Sequence, residues 1–366
     1  MTNRAEAVID LSAIRANVAF LKGKAGVDLL AVVKADGYGH GLIPVAKAAL
    51  EGGATWLGVA LLEEAITLRA AGITAPILAW LVPSGSDFKS AVDHDIDIAV
   101  SSIKALDEVG AVAGTKRPRI HLEVDTGMTR GGFLSEWSEI DANHVQGVEI
   151  IGIFSHFARA DEPGQPQNLE QLTRFKKMVA TLESFGFTNT IRHLSNSAAT
   201  LVDPAATFDM VRTGIAMYGL SPDVETLGTS EHLSLKPAMT LRAKLHLVKE
   251  VPAGSPVGYG ATEVTKSDTK LGLVAMGYAD GIPRSAKNAG VSFNGKRAPI
   301  IGRVSMDQFV VDLGATSTAQ SGDWVTVFGP GIGGEYTADD WGAASGSINY
   351  EIVTRIGPRV PRIYQL

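Results

Sequence analysis

The chain lacks cysteine altogether, and this absence excludes several kinds of chemistry. Without a thiol there can be no disulfide, no thiolate nucleophile and no zinc site built on cysteine. Positive charge is not in surplus either, because 33 Lys and Arg are opposed by 39 Asp and Glu and leave a formal net charge of -6. A chain with this charge shows no basic footprint for nucleic acid or an anionic membrane.

Long apolar runs are also missing. The opening segment MTNRAEAVIDLSAIR carries Glu6 and Asp10 where a secretion signal needs an uninterrupted apolar stretch. No later run is long enough to cross a bilayer. We therefore expect a cytoplasmic protein that has no membrane segment.

Short apolar segments that alternate with helical patterns dominate the first two thirds of the chain. The first helix is predicted to start at Asp10-Leu11-Ser12, with Ser12 as its cap and Ile14, Val18 and Leu21 on one face. The candidates for buried strands are Leu29–Val33, Thr55–Ala60, Pro76–Val82, Asp97–Val100, Arg119–Val124, Val148–Phe154, Thr190–Leu194 and Phe208–Val211. Most of them are nearly continuous apolar runs, as strands buried on both faces require, and strand-helix alternation enforces parallel pairing. This repetition predicts a closed (β/α)8 barrel, with an open doubly wound sheet as the alternative.

The pattern changes near Lys236-Pro237. Apolar and polar residues then alternate over Leu241–Val248, which indicates a half-buried strand. Further strand candidates are Leu271–Met276, Pro299–Val304, Phe309–Leu313 and Asp323–Phe328. The sequence therefore predicts an α/β chain with a TIM-type barrel over residues 1–235 and a smaller, mainly antiparallel β domain over residues 236–366. Residues 1–11 are available for pairing with the β domain.

Reactive side chains cluster where the predicted barrel strands end, which is where barrels of this kind carry out chemistry. They are Lys34, Asp125 and Arg130, Ser155 and His156, His193, Asn196 and Ser197, and Arg212. Each has a purely structural alternative: Lys34 as a solvated strand end, His156 as a hydrogen-bonded core residue, Arg212 as a salt-bridge partner. Their coincidence at one rim favours a functional site.

Together these groups suit a particular cofactor. A lysine at a dry barrel mouth can lose its proton because burial disfavours the ammonium, and the neutral amine then attacks carbonyls to form a Schiff base. Ser197 and the backbone N–H groups near Gly214 and Ile215 could hold a phosphate. A phosphorylated aldehyde held by lysine describes pyridoxal phosphate.

Long motifs, in order along nearly the whole chain, carry a resemblance to a known family. They are AVVKADGYGHG (31–41), HLEVDTGMTRGG (121–132), IFSHFARAD (153–161), RHLSNSAAT (192–200), MVRTGIAMYGL (210–220), VGYGAT (257–262), MGYADGIPR (276–284), GRVSMDQFV (302–310) and NYEIVTRIGPRVPR (349–362). With these motifs the chain resembles the alanine racemases, pyridoxal-phosphate enzymes of the third fold type.

The resemblance implies a two-base mechanism and supplies the roles of individual residues. Lys34 would carry pyridoxal 5′-phosphate and handle the proton of D-alanine, and Tyr259, from the partner subunit, would handle the proton of L-alanine. Arg130 and the Met306 backbone would bind the substrate carboxylate. On residue type alone, Tyr259 could instead be a packing aromatic and Met306 a core residue.

The remaining site residues are also implied by the resemblance. The cofactor contacts would be Lys34, Tyr38, His156, Ser197, Arg212, Gly214, Ile215 and Tyr350. The supporting residues would be Glu123, His193, Asn196, Tyr278 and Asp307. The expected assembly is a homodimer with an active site shared between subunits, which takes a small amino acid and binds neither nucleic acid nor membrane.

One position departs from the family pattern. Many members have a lysine, often carbamylated, where this chain has Glu123. Our hypothesis is that the Glu123 carboxylate replaces the carbamate and faces Arg130. A metal site formed by His121, Glu123 and Asp125 is the alternative; we expect no metal.

Other functions remain open at this point. A racemase of the same fold could act on serine, lysine or a wider range of amino acids. A decarboxylase of the same fold would need a cysteine that this chain lacks. A non-catalytic carrier of pyridoxal phosphate would resemble the barrel alone, so the β domain with Tyr259 and Tyr350 counts against it. The function that the resemblance implies is racemisation of alanine, which supplies D-alanine for peptidoglycan.

Overall fold

The computed structural model describes residues 3–112, 114, 116–140 and 142–366. They form two compact units. We call the first the barrel unit; it comprises Ala13–Gly37 and Leu42–Lys236. The second, the sheet unit, comprises the chain up to Ser12, Tyr38–Gly41 and Pro237–Leu366.

The strands and helices are numbered in chain order. The strands are β1 (Ala5–Asp10), β2 (Asp28–Val32), β3 (Trp56–Val59), β4 (Ile77–Ala79), β5 (Asp97–Val100), β6 (Arg119–Glu123), β7 (Glu149–Phe154), β8 (Ile191–His193), β9 (Met210–Thr213), β10 (Met239–Val251), β11 (Pro256–Val257), β12 (Glu263–Val264), β13 (Thr269–Val274), β14 (Gly290–Phe293), β15 (Lys296–Pro299), β16 (Phe309–Asp312), β17 (Trp324–Phe328) and β18 (Arg362–Gln365). The α-helices are α1 (Leu11–Ala25), α2 (Lys34–Tyr38), α3 (Leu42–Glu51), α4 (Leu62–Ala70), α5 (Phe88–Asp93), α6 (Ile103–Gly110), α7 (Ala142–Val145), α8 (Pro166–Ser184), α9 (Ser197–Val202), α10 (Val224–Leu227), α11 (Ala338–Ser345) and α12 (Asn349–Thr354). Short 3-10 helices occur at Ser135–Glu139, Pro204–Ala206, Ile215–Tyr218, Tyr259–Ala261 and Tyr278–Asp280.

Eight parallel strands form the barrel unit in the order β8-β7-β6-β5-β4-β3-β2-β9. Backbone hydrogen bonds also join the two outermost strands, since Asp209 N–H donates to the carbonyl of Arg192 (3.1 Å) and Arg212 N–H to that of Ser195 (2.9 Å). The apolar runs that predicted these strands are buried, as sheets covered on both faces require. The predicted barrel is therefore confirmed, and the open-sheet alternative is wrong.

The apolar face predicted for helix α1 is confirmed, and its predicted cap is wrong. Its predicted apolar face, Ile14, Val18 and Leu21, is fully buried. Ser12 was expected as the cap, but the helix begins at Leu11 and Ser12 lies inside it. The Ser12 hydroxyl donates to the Asp10 carboxylate (2.6 Å), so it is occupied at the strand end rather than at a helix amide.

The sheet unit is mainly antiparallel, and its long strand β10 is the centre. Strand β10 pairs with β1, β13 and β17, all antiparallel, and β18 pairs with β1 in parallel. Residues 241–244 of β10 pair with β17 and residues 245–251 with β13, and the pairing with β13 contains a register shift between Leu245 and Leu247. On α11, Trp341 is buried and donates from its indole N–H to the carbonyl of Val327 (2.8 Å), which ties this helix to β17.

The strand expected at Pro299–Val304 is wrong in most of its length. Strand β15 ends at Pro299, and beyond it only Ile300 makes an isolated bridge, to Val311. Gly302 has a φ of +78°, which extended strands do not adopt, and a Cβ there would lie 2.8 Å from the carbonyl oxygen of Val257. The apolar run is therefore part of a tightly packed loop.

Within the part of the chain that the structure describes, no helix combines the length and the apolar composition needed to cross a bilayer.

Candidate active site

Lys34 follows β2 and opens a turn of unusual hand. Ala35, Asp36, Gly37 and Tyr38 have φ values of 53°, 54°, 61° and 51°. Each residue other than glycine in this left-handed region costs roughly 1–2 kcal/mol. Such a turn persists only where surrounding contacts hold it, and strain of this kind clusters at functional sites. The turn lets the chain change direction directly after the lysine.

Glu64 on α4 is one of the groups that hold this turn. Its carboxylate accepts hydrogen bonds from the backbone N–H groups of Ala35 (2.6 Å), Ala60 (3.0 Å) and Leu61 (3.1 Å). Asp36 adds a second brace, since its carboxylate accepts from the N–H of Leu42 (2.8 Å). The sequence analysis missed Glu64, because Leu61, three residues before it, is not one of the Ser, Thr, Asp or Asn residues that mark a capping box.

The environment of Lys34 favours a neutral amine. Burial lowers the pKa of Lys34, the guanidinium of Arg130 lowers it further, and Glu64 only partly opposes this. The amine nitrogen lies 5.8 Å from the centroid of the Trp80 ring, near the outer limit of about 6 Å for a cation–π contact. A lysine with a lowered pKa has the nucleophilic free base available closer to neutral pH.

Arg212, on β9, is buried with its charge. Its guanidinium donates to the carbonyl oxygens of Ser155 (2.7 Å), His193 (2.7 Å) and Leu194 (3.2 Å). Burial lowers its pKa to about 10, which still leaves the group charged at neutral pH. The guanidinium also lies 5.3 Å from the Phe154 ring centroid. The cation is therefore fixed in one orientation.

His156 follows β7 beside this guanidinium. Its Nδ1 lies 3.3 Å from the Arg212 Nη2, and because arginine only donates, Nδ1 must accept. Burial, reinforced by Arg212, lowers the His156 pKa to about 3, so the ring is neutral. The buried side chain of Gln171 fixes this loop: it donates to the carbonyl of His156 (2.9 Å) and accepts from the N–H of Ala158 (2.9 Å). Gln171 was missed because an amide on a helix face carries no sequence signal of such a role.

Ser197 joins two helix starts. Its hydroxyl oxygen accepts from the N–H of Gly214 (2.9 Å) and more weakly from that of Ala216 (3.4 Å), at the 3-10 helix that begins with Ile215. Asn196 caps α9 by accepting from Ala199 N–H (3.0 Å). A hydroxyl and backbone N–H groups at helix N-termini are the donors that phosphate requires. This donor set fits the phosphate of the expected cofactor.

Glu123, Asp125 and Arg130 belong to the end of β6 and the loop after it. The Asp125 carboxylate accepts from the N–H groups of Gly127 (2.8 Å), Met128 and Thr129 (both 3.1 Å) and thereby shapes the loop that carries Arg130. Burial raises the pKa of Glu123, whereas Arg212 and Arg130 act to lower it.

The side chains of His121, Glu123 and Asp125 are not arranged as a metal site. His121, the third member of that set, turns to Asp97 and His193 instead. Across the described residues, no group of three or more His, Asp or Glu side chains is arranged to hold a metal ion.

In the sheet unit, the site residues expected to serve another subunit are exposed. Tyr259, in the turn between β11 and β12, is 72% exposed, and Met306 is 53% exposed. Tyr278 is also exposed. The structural alternatives of a packing aromatic at 259 and a core methionine at 306 are therefore wrong.

Backbone contacts and ion pairs connect the loops of the sheet unit that carry these residues. Tyr278 N–H donates to the carbonyl of Ser305 (3.0 Å). Arg359 bridges the carboxylates of Asp307 (2.7 Å) and the buried Asp280 (3.2 Å). The loop with Met306 and Asp307 is thus held against the segment that carries Tyr278.

Tyr38 and Tyr350 lie together in the sheet unit. Their ring centroids are 6.4 Å apart at an interplanar angle of 46°. Burial raises the pKa of Tyr38, so its phenol remains protonated and can donate a hydrogen bond. The adjoining backbone is fixed by Arg362, which donates to the carbonyl of Gly39 (2.9 Å).

Comparison with known proteins identifies the family. Residues 9–222 match the model of the N-terminal domain of alanine racemase, and residues 238–364 match that of its C-terminal domain. An alanine racemase from Frankia casuarinae is 52% identical over 99% of this chain and 96% of its own length, and one from Salinispora tropica is 50% identical over 99% and 98%. The crystal structure of alanine racemase from Streptomyces lavendulae, 49% identical, superposes with a TM-score of 0.96 and covers 100% of this chain and 98% of its own. The chain therefore belongs to the alanine racemase family, the pyridoxal-phosphate-dependent isomerases that interconvert L-alanine and D-alanine.

Proposed function

We propose that this chain racemises alanine with Lys34 and Tyr259 as the two bases. Inversion of a stereocentre by proton transfer requires one proton-transferring group on each face of the α-carbon. Lys34 handles the proton of D-alanine and Tyr259 that of L-alanine. The observation that carries the proposal is the half-buried Lys34 amine, with its lowered pKa, directly after β2 in the unit that also holds Arg130, His156 and Arg212.

The cofactor acts as an electron sink that makes the α-proton of the bound amino acid acidic. Lys34 would attach it, and Ser197 with the backbone of Gly214 and Ile215 would hold its phosphate, together with Tyr38 and Tyr350. The donor set around Ser197 supports this assignment.

Two further barrel residues would set the properties of the bound ring. Arg212 would face the pyridine nitrogen, where a fixed positive charge disfavours protonation of that nitrogen. A neutral His156, half-buried beside Arg212, would pack on the ring. His193 and Asn196 would support them, the first by its contact with Arg212 and the second by capping the helix that starts at Ser197.

Arg130 and the backbone of Met306 would bind the substrate carboxylate. The hypothesis for Glu123 is that its carboxylate orients Arg130 as a fixed anion. Arg212 and Arg130 both act to lower the Glu123 pKa against the effect of burial, which supports the proximity of these two guanidinium groups to Glu123. Tyr278 and Asp307 would line the entrance and limit the size of the substrate.

We also propose that the active unit is a homodimer in which each Lys34 works with the Tyr259 of the other copy. The exposure of Tyr259 and Met306 supports this proposal. Exposed apolar side chains mark surfaces that bind a partner, and a second copy of the chain would cover these two residues. Light scattering at the concentration of the activity assay should give the mass of two chains. A monomer with full activity would contradict the shared site.

The physiological role that follows is the supply of D-alanine for peptidoglycan precursors in the cytoplasm. Expression of the chain should restore growth of a bacterium that requires added D-alanine, and the Lys34→Ala variant should not. Fractionation of those cells should recover the activity with the cytosolic proteins. Activity confined to another fraction would contradict the proposed location.

The direct test of the reaction is incubation of the pure protein with L-alanine in deuterium oxide. We expect loss of optical rotation, deuterium at the α-carbon of the D-alanine formed, and much slower reaction with L-serine and L-lysine. A visible absorbance band of bound cofactor without exchange or inversion would favour a non-catalytic carrier. Faster inversion of serine or lysine would favour the alternative specificity.

A further inference from the structure

Four buried side chains form a continuous row through the interior of the barrel unit. The row starts at Arg212 on β9, whose Nη1 lies 3.2 Å from His193 Nδ1. His193 Nε2 lies 2.8 Å from His121 Nδ1, and His121 Nε2 lies 3.5 Å from a carboxylate oxygen of Asp97 on β5. Both histidines have no exposed surface, and Asp97 is almost completely buried. We call these four residues the histidine row.

The donors in the histidine row can point in only one direction. Arginine has no acceptor, so His193 Nδ1 must accept from Arg212 and the proton of His193 is on Nε2. That N–H donates to His121 Nδ1, which leaves the proton of His121 on Nε2, facing Asp97. An ionised carboxylate only accepts, so a proton on His121 Nε2 faces Asp97 across a contact of 3.5 Å, and this nitrogen has no other hydrogen-bond partner.

The charges agree with this arrangement. Burial lowers the pKa of both His121 and His193, so each ring is neutral and carries one proton. Burial acts to raise the pKa of Asp97, but hydrogen bonds from His121 and Arg119 outweigh it and hold the pKa below its ordinary value. Arg119, which is partly exposed, donates two hydrogen bonds to this carboxylate, at 2.8 and 3.2 Å. Asp97 is therefore a fixed anion at one end of the row, and Arg212 a fixed cation at the other.

The packing keeps both rings in place. Phe154 stacks on His193 at 4.9 Å with an interplanar angle of 15°, and Trp56 meets His121 edge-on at 5.4 Å. On β7, Gly152 leaves the space that His121 occupies, because a Cβ there would lie 2.4 Å from His121 Nδ1. Apolar side chains could fill a barrel interior without the cost of burying charge, so a row of this kind calls for a role.

We propose that Asp97 and His121 are positioning residues for Arg212. The carboxylate fixes the protonated nitrogen of His121 and, through it, that of His193, so that an acceptor always faces the guanidinium and holds it in one orientation. The inference rests on the proposed contact of Arg212 with the pyridine nitrogen, and it places a determinant of that contact on β5.

The test is an exchange of Asp97 for asparagine. In this variant the amide oxygen remains with Arg119 and the amide N–H₂ faces His121. His121 Nε2 then becomes an acceptor, its proton moves to Nδ1, and the proton of His193 moves to the nitrogen that faces Arg212. Asp209→Asn is the matched control, because Asp209 makes a similar two-contact pair with Arg192 between β8 and β9.

The first readout is ¹⁵N NMR of histidine-labelled full-length protein, recorded without cofactor. The wild type and Asp209→Asn should show His121 and His193 protonated on Nε2, whereas Asp97→Asn should show protonation on Nδ1 in both. This result does not depend on racemisation, so it is informative even if the proposed function fails. An unchanged His193 signal in folded Asp97→Asn would overturn the inference.

The second readout is kinetic. Misplacement of a group near the reacting centre costs up to about 100-fold, so kcat should fall about 10- to 100-fold in Asp97→Asn, with KM for alanine changed much less. Asp97→Glu, which keeps the carboxylate, should recover part of kcat. If Asp97→Asn does not fold, His121→Phe serves instead, since it interrupts the row but fills the space. A kcat in either variant equal to that of Asp209→Asn would overturn the inference.

Discussion

The two units of this protein prepare their site residues in opposite ways. In the barrel unit, Arg212 and His193 are buried and His156 is half-buried, and hydrogen bonds to backbone carbonyls and contacts with one another hold them. In the sheet unit, Tyr259 and Met306 are exposed on short turns. The barrel unit thus fixes charge and orientation by burial within a single fold. The sheet unit presents groups that a second copy of the chain would have to cover.

The difference reflects the chemistry that each set is proposed to perform. A group that tunes a cofactor must not move, and burial with complete hydrogen bonding achieves this at the cost of desolvation. A base that reaches a substrate across a subunit boundary must instead project from its own fold. Substitutions in either unit therefore test this contrast between the fixed groups of the barrel unit and the exposed groups of the sheet unit.

Loss of Lys34 should have the largest effect. Lys34→Ala removes both the attachment of the cofactor and one base, so activity should fall by about 10⁴-fold or more. After reduction with borohydride, mass spectrometry should find the cofactor on Lys34 in the wild type and on no residue in the variant. Lys89→Ala, a change of an exposed lysine in the barrel unit, is the control and should retain both the activity and the cofactor on Lys34. Cofactor reduced onto another lysine of the wild type would contradict the assignment.

Tyr259→Phe should have the next largest effect on activity, and unlike Lys34→Ala it should leave the attachment of the cofactor intact. Removal of one hydroxyl from an exposed turn should change the free energy of unfolding by no more than about 0.5 kcal/mol, because most surface substitutions have effects of this size. Racemisation should fall about 10²- to 10⁴-fold through loss of a proton-transferring group. Exchange of the α-proton of D-alanine in deuterium oxide should continue, since Lys34 remains. Loss of that exchange to the same extent as racemisation would argue against two separate bases.

Acid should destabilise the protein through its buried histidines. His156 has a pKa of about 3 in the folded chain, whereas an unfolded histidine titrates near 6.5. Between these values the unfolded chain binds a proton that the folded chain does not, so stability falls as pH decreases, by about 1.4 kcal/mol per pH unit for this residue.

Urea unfolding at pH 7 and pH 5 checks this prediction. The loss of stability should be smaller in His156→Asn than in the wild type. His246→Asn, at an exposed position in the sheet unit, should behave like the wild type. Equal losses in both variants would show that His156 does not carry the effect.

Glu123→Gln should have the smallest effect of the set. Loss of a hydrogen bond to a charged group costs about 1.5–3 kcal/mol, so KM for alanine should rise about tenfold or more if Glu123 orients Arg130. Glu139→Gln, at an exposed position of the same unit, is the control. Full substrate affinity and rate in Glu123→Gln would sink the hypothesis that this carboxylate replaces a carbamate.

Much of the fold could be predicted because burial leaves a periodic trace. The barrel strands were readable as apolar runs, and α1 as a spaced apolar face, since both follow from which side of an element meets the core. The segment from Pro299 to Val304 misled for the same reason: Ile301 and Val304 are buried as in a strand, but the positive φ of Gly302 interrupts the strand.

The site was readable only in part. Its residue types followed from motifs and from their place after strands, but the geometry depends on contacts between distant segments. Ala35 and Asp36 adopt a left-handed turn that neither residue type signals, because Glu64 holds it from another helix. Asp97 was read as part of a strand, and only the pairing of β5 with β6 brings it to His121.

The measurement that tests the central claim most directly is a mixture of two inactive variants. If Lys34 and Tyr259 of different copies share a site, Lys34→Ala and Tyr259→Phe should complement each other in mixed dimers, each with one intact site. Random exchange of subunits at equal concentrations should then restore roughly a quarter of the wild-type activity. A mixture that stays as inactive as its components, with mixed dimers demonstrated by native mass spectrometry, would contradict the shared two-base site.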